Sequence, residues 1–187
     1  MNLSRKILTL ICCTDCNDEE EQSIIEFGIS ILLSRLLNLV TEIIIGCLFS
    51  MFIEAMIFLI AFSFLRSYAG GIHASTSGKC YVFSSLTMVI AMFIIKYVDG
   101  FVINCIFILF GTILCLIFAP VESKNKMLDK LEKNIYRKKA ILILSSILIV
   151  LVLANCLHIK MIFTTLSVVL LIESIMLVLG KIILIKI

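Results

Sequence analysis

The sequence of 187 residues has no tryptophan, one proline and two histidines, and only 16% of its residues are charged. Each scarcity removes a class of protein. No stretch alternates apolar with polar residues, which argues against a membrane β-barrel. The one proline, Pro120, falls outside the apolar runs, so none of them carries a helix-breaking ring. Cys13-x-x-Cys16 has the spacing of half a zinc site, but no matching Cys/His pair follows it, so no metal is expected. No folded basic domain is present to read a nucleic-acid groove. There is no internal repeat, low-complexity tract or second domain, and residues 1–187 read as one unit.

What the chain has instead is apolar surface. Hydrophobic residues make up 61% of it and its mean hydropathy is +1.19, more than a soluble core of this length can bury. We therefore expect an all-α integral membrane protein, because backbone groups in lipid must be satisfied within the spanning segment. Six apolar runs approach the roughly 20 residues needed to cross a bilayer. They extend from about Ile24 to Phe49, Met51 to Leu65, Tyr81 to Val98, Phe101 to Ala119, Ala140 to Leu157 and Met161 to Leu179. The second is short and carries Glu54 near its start, which suits a tilted or re-entrant segment. Residues 1–23 form an arm ending in the acidic cluster Asp18 to Glu21. It has no small-residue cleavage site and is not expected to be a signal peptide. Its Leu3, Ile7, Leu8, Leu10 and Ile11 are spaced as a helical face suited to the membrane surface.

Basic residues set the expected orientation. The loop 120–139 holds Lys124, Lys126, Lys130, Lys133, Arg137, Lys138 and Lys139 against three acids, which marks it cytoplasmic. Counting crossings from there places Arg66, His73, Lys79, Cys80 and both termini on the same side, and the turns at Asp99-Gly100 and His158-Ile159-Lys160 on the other. Such a loop can be a solvated, lipid-attracted segment, or it can attract an acidic substrate. His158, in the outer turn, is read as a surface residue.

The eight cysteines divide by this topology. Cys47, Cys105, Cys115 and Cys156 lie in apolar runs and behave as small hydrophobes. Cys12, Cys13 and Cys16 cluster on the arm, as free thiols or palmitoylation sites. Cys80 differs, because it stands where the polar passage AGGIHASTSGKC (69–80) enters an apolar helix. Unpaired N–H groups and the helix dipole favour a thiolate at that position. In a continuous helix the seven residues from His73 to Cys80 rise about 10.5 Å, beyond hydrogen-bond reach. If His73 is its base, the intervening segment must turn back, and Gly70, Gly71, Gly78 and the Ser/Thr run suit that task. On spacing alone, an interfacial loop with an incidental cysteine is an equal reading.

Intramembrane charges are costly and face a protein interior or a partner. Arg35, Asn38 and Glu42 share one face of the first run, as a helix brace or as a cradle for substrate backbone. Glu173, in the last run, is a candidate to pair with a cation from another helix or subunit. Arg66 shares the face of Cys80 and is placed to bind a substrate carboxylate or to steer His73.

The stretch Arg66-Ser67-Tyr68-Ala69-Gly70-Gly71-Ile72-His73-Ala74, with Cys80-Tyr81-Val82 after it, resembles the signature of the AgrB family of membrane endopeptidases in Gram-positive quorum sensing. Phe118-Ala119-Pro120-Val121-Glu122-Ser123-Lys124 and Ile172-Glu173-Ser174-Ile175 are similar to that family's passages before its basic loop and in its last helix. The resemblance implies a cysteine endopeptidase that removes the C-terminal segment of an AgrD-like propeptide and promotes cyclisation of the rest to a thiolactone or lactone. On matching positions it implies Cys80 as nucleophile and His73 as base, supported by Arg66 and Gly71, in a catalytic loop at 66–80. Ala-Ser-Thr-Ser-Gly-Lys after His73 departs from members with proline and aromatics there, which bears on substrate preference. No cofactor is expected. The competing classes are a small transporter lined by Arg35, Glu42 and Glu173, and a non-enzymatic scaffold. A homodimer would suit so small a bundle, although no residue specifies one.

Overall fold

The computed structural model describes residues 19–71, 77–98, 100–121 and 129–185. The described residues are all-α, with six helices: α1 (Glu19–Leu48), α2 (Phe52–Ala69), α3 (Ser77–Tyr97), α4 (Phe101–Phe118), α5 (Lys130–Cys156) and α6 (Lys160–Ile185). Each contains a segment long and apolar enough to cross a membrane. Successive spans alternate in direction. The start of α3 therefore shares one end of the bundle with the ends of α2 and α4 and the start of α5.

Several boundaries differ from the sequence reading. The second run is a full 18-residue helix that carries Arg66 inside its last turn and stops only at Gly70, whose N–H donates to the Arg66 carbonyl at 3.0 Å. Residues 66–69 and 77–80, at the two ends of the loop expected over 66–80, are thus helical. Gly78, expected to permit a turn, lies within α3. The fifth helix starts at Lys130 rather than Ala140, because Asp129 and Glu132 form a capping box that satisfies its first turn. Five of the seven cations of the basic loop therefore ride on the opening turns of α5. Lys139 Nζ lies 5.1 Å from the Tyr68 ring, which in turn packs on Tyr136.

α6 is the central helix, 72% buried across its span, and it contacts α2, α3, α4 and α5. Its faces join two apolar cores. One gathers Leu65, Cys115, Leu144, Leu151, Leu170 and Leu177 from α2, α4, α5 and α6. The other gathers Ile45, Phe58, Met88, Met92, Val169 and Met176 from α1, α2, α3 and α6. Within a bilayer, helix association depends on close packing and interhelical hydrogen bonds rather than on expulsion of water. Both are present. Gly111 of α4 lies against Leu170, where an added Cβ would stand 2.7 Å from the Leu170 carbonyl oxygen. The buried Asn104 accepts a 2.6 Å hydrogen bond from Ser167 and donates to the Gly100 carbonyl at 3.0 Å.

Gly111→Ala is accordingly expected to push α4 off α6 and lower stability by about 1–3 kcal/mol. Thermal unfolding in detergent measures this. An unchanged midpoint would show that the two helices can separate at no cost. α1 is the least enclosed element, with 6% of its span buried, and it joins the bundle mainly through α2 and α3.

Candidate functional site

The end of α2 is held by backbone. Val121 N–H donates to the Ala69 carbonyl at 2.9 Å, and Gly70 and Val121 form an isolated parallel bridge. Gly70 adopts φ of +83°, and a Cβ there would run into the Val121 carbonyl oxygen. The next residue, Gly71, has φ of +132°, and its missing side chain leaves space occupied by the Arg66 guanidinium, with Nη1 3.2 Å from the position a Cβ would take. Gly70 is therefore required by close approach as well as by conformation, and Gly71 chiefly by conformation.

Arg66 projects from the last turn of α2 toward α6. Its Nη1 lies 4.0 Å from Oε2 of Glu173, and its guanidinium carbon is 5.6 Å from the centre of the Phe62 ring. Glu173 is fully buried, and among the described residues neither carboxyl oxygen accepts a hydrogen bond. The expectation that Glu173 takes a cation from another helix is met within this one chain. The carboxylate facing Arg66 is an internal one, not a substrate group.

Cys80 is the fourth residue of α3, in its first turn, and is exposed. His73 lies outside the described residues, as do Cys12, Cys13, Cys16, the amphipathic positions 3–11, and the loop cations Lys124 and Lys126. Of the apolar-run cysteines, Cys115 is in the core, Cys105 is half-buried, and Cys47 and Cys156 are exposed. Among the described residues no three His, Cys, Asp or Glu side chains are grouped as metal ligands.

Inward from Cys80 lies a polar cavity of about 160 Å³ between α1, α2, α3 and α6. Asn38 and Glu42 of α1, Ser63 and Arg66 of α2, and Ser84 and Thr87 of α3 contribute its polar lining. Ser84 follows Cys80 by one helical turn and so lies beneath it on the same face. The Asn38 carbonyl oxygen is buried with no hydrogen-bond partner, and among the described residues Glu42 makes no ion pair. Thr41 and Tyr81 hydrogen bond at 2.9 Å, tying α1 to the first turn of α3. Arg35 does not join this set as a lining residue; it is exposed on α1 and makes no ion pair among the described residues. Sequence reasoning missed Val121 and Ser84. The i, i+4 relation to Cys80 could have identified Ser84, whereas nothing local to Val121 announces its bridge to Gly70.

At the opposite end a second cavity, about 390 Å³, is lined by Gly100, Asn104, Asn155, His158, Lys160 and Phe163 among others. His158 thus borders a recess at the end away from Cys80.

The sequence profile of the family described as Accessory gene regulator B matches residues 4–177. A putative AgrB-like protein of Clostridium perfringens is 32% identical, over 74% of this chain and 68% of its own length. One from Clostridium acetobutylicum is 30% identical over 59% of this chain and 56% of its own, and one from Lactiplantibacillus plantarum 27% identical over 67% and 64%. No solved structure matches the chain.

Proposed function

The chain belongs to the Accessory gene regulator B family, linked to the processing of autoinducer propeptides, and from that premise we propose that it is a membrane cysteine endopeptidase acting through Cys80. The observation that supports this most is the setting of Cys80: an exposed thiol in the first turn of α3, one helical turn from Ser84, which lines a polar cavity inside an otherwise apolar bundle.

In this reading His73 takes the thiol proton, and the sulfur attacks the scissile carbonyl of a bound AgrD-like propeptide. The C–N bond breaks, His73 returns the proton to the departing amine, and the remaining peptide is held as a thioester on Cys80. A cysteine within that peptide then attacks the thioester carbonyl, forming a thiolactone and restoring the Cys80 thiol. A serine in its place gives a lactone. One thioester replaces another, so ring closure by cysteine needs no external energy source. The acyl group must be shielded from water, which a cavity roofed by helices favours.

The cavity supplies acceptors. The Asn38 side-chain oxygen, without a donor among the described residues, and the Glu42 carboxyl group lie one helical turn apart on α1, and they suit the N–H groups of an extended peptide chain. The opening turns of α5 carry Lys130, Lys133, Arg137, Lys138 and Lys139 at the same end of the bundle as Cys80. By the positive-inside rule we assign that end to the cytoplasm, together with both termini. The same cations attract an acidic propeptide tail and raise its encounter rate. A transporter reading draws less support, because Glu173 is enclosed against Arg66 and Arg35 faces outward.

The test is to trap the thioester. A propeptide whose central cysteine or serine is replaced by alanine cannot cyclise. After incubation with it, the Cys80-containing fragment should gain the mass of the propeptide less its tail, and neutral hydroxylamine should remove that mass. Cleaved peptide accumulating with no adduct at Cys80 would rule out the acyl-enzyme route.

A further inference from the structure

We propose that Thr41 and Tyr81 control access to the polar cavity between α1, α2, α3 and α6, and that a peptide held at the membrane enters it sideways, between α1 and α3. The opening itself stands on how α1 is packed; its use by the propeptide rests on the peptidase reading above.

α1 is attached to the bundle unevenly. Near its C-terminal end Ile45 and Gly46 are buried, and Gly46 lies so close to Ala55 that a Cβ would clash. The Phe49 and Met51 N–H groups donate to the Ile45 and Gly46 carbonyls at 3.1 and 2.9 Å, which fastens that end to the start of α2. Across the described side chains of residues 27–44, by contrast, none is buried. A helix pinned at one end and lightly covered along the rest opens at less cost than the core around it.

What α1 covers is polar. Asn38 and Glu42 are its share of the cavity wall, and the Asn38 side-chain oxygen has no donor among the described residues. Thr41 stands between them in the chain and reaches toward α3. Its hydroxyl oxygen lies 2.9 Å from the Leu37 carbonyl and 2.9 Å from the Tyr81 hydroxyl. Threonine has one hydroxyl proton and a carbonyl can only accept, so Thr41 donates to Leu37 and Tyr81 donates to Thr41. The pair closes the α1–α3 seam next to Ser84 and Thr87, the polar residues that α3 gives to the cavity. Tyr81 follows Cys80 directly, so latch and nucleophile share the first turn of α3. Parting the seam bares the acceptors of α1 beside that turn, and a peptide lying in the membrane surface reaches both without passing through either apolar core.

The test follows a buried reporter. Thr87 lines the cavity and is 7% exposed. Thr87→Cys is placed in full-length Cys80→Ala protein, so that no thiol at position 80 competes. In detergent, N-ethylmaleimide labelling of residue 87 is divided by that of Cys156, an exposed thiol at the other end of the bundle. Tyr81→Phe and Thr41→Val are each expected to raise the ratio about 3- to 10-fold, the range that loss of one hydrogen bond gives. The two together should rise no further than either alone, and Thr41→Ser, which keeps the hydroxyl, should stay within about 2-fold of the parent. Unchanged ratios in both variants, or a parallel rise at Cys115 in the other core, would overturn the latch. Met88→Cys, a second buried position on the cavity wall, takes the reporter's place if Thr87→Cys does not fold. A thiol-free propeptide with a central serine and an acidic end is then added at saturation. It should slow labelling of residue 87 at least 3-fold in the Tyr81→Phe protein, and labelling indifferent to the peptide would overturn the lateral route for substrate. Cleavage of that propeptide by the Cys80→Ala protein would instead remove the peptidase reading and leave the labelling result standing.

Discussion

Cys80→Ala is expected to abolish propeptide cleavage, a loss on the order of 10⁴-fold or more, because removal of a nucleophile leaves only binding and electrostatic assistance. His73→Ala should cost about 10²–10⁴-fold, the range of a single general base. Cys80→Ser is expected to fail nearly as completely, since a serine hydroxyl holds its proton far more tightly than a thiol does. The controls lie in the same chain. Cys115 is buried in the core shared by α2, α4, α5 and α6, and Cys156 is exposed at the other end of the bundle. Cys156→Ala should leave cleavage within about 2-fold, while Cys115→Ala should reduce stability through a lost core contact without removing activity. The measurement is co-expression with a propeptide that has an amphipathic start, a central cysteine or serine and an acidic end, followed by mass analysis of the products. Cleavage persisting in the Cys80→Ala protein would leave the peptidase reading without its nucleophile.

Gly70→Ala should produce the second largest loss, although it adds only one methyl group. Two costs combine. At φ of +83° an L side chain is strained by about 1–3 kcal/mol, and the new Cβ meets the Val121 carbonyl oxygen, a backbone atom that cannot turn aside. Relief requires the end of α2 to part from the end of α4, which displaces Gly71 and the Arg66 guanidinium together. We expect cleavage to fall by about 10²-fold or more, because misplacing a reacting group by about 1 Å can cost that much. The unfolding midpoint should drop as well. Gly71→Ala carries the backbone strain but meets only the tip of a flexible arginine, so its stability loss should be smaller. Gly28→Ala is the neutral reference, since a Cβ there meets nothing within 4 Å and alanine favours a helix. Equal behaviour of the Gly70 and Gly28 variants would show that the Gly70–Val121 bridge has no bearing on the site.

These two predictions also mark how far the sequence could be read. The six spans were legible because apolar length is a one-dimensional property, and the Cys80 helix start because a polar passage ends there. The beginning of α5 was misplaced by ten residues, since a run of lysines looks like a loop until Asp129 and Glu132 are recognised as a cap. Gly70 and Gly71 stood out as a pair, but the close approach of Val121 that requires glycine at position 70 is created only by the packed helices. The partnership of Arg66 with Glu173 was beyond local inference. Each residue alone advertised a need for an opposite charge, and only the placement of α6 between the other helices selected which one. The cavity below Cys80 is of the same kind, drawing residues from four helices that no spacing rule connects.

Among the described helices the central one comes last in chain order, and this bears on how the protein is made. Membrane segments are delivered by the ribosome from the N-terminal end onward. α1 to α5 therefore enter the bilayer before the element around which they gather, and Arg66 reaches the lipid well ahead of the carboxylate that will neutralise it. Until translation supplies α6, the half-built assembly lacks its common centre. Quality-control proteases that survey the membrane would find their target in that interval, and closure of the bundle would coincide with arrival of α6.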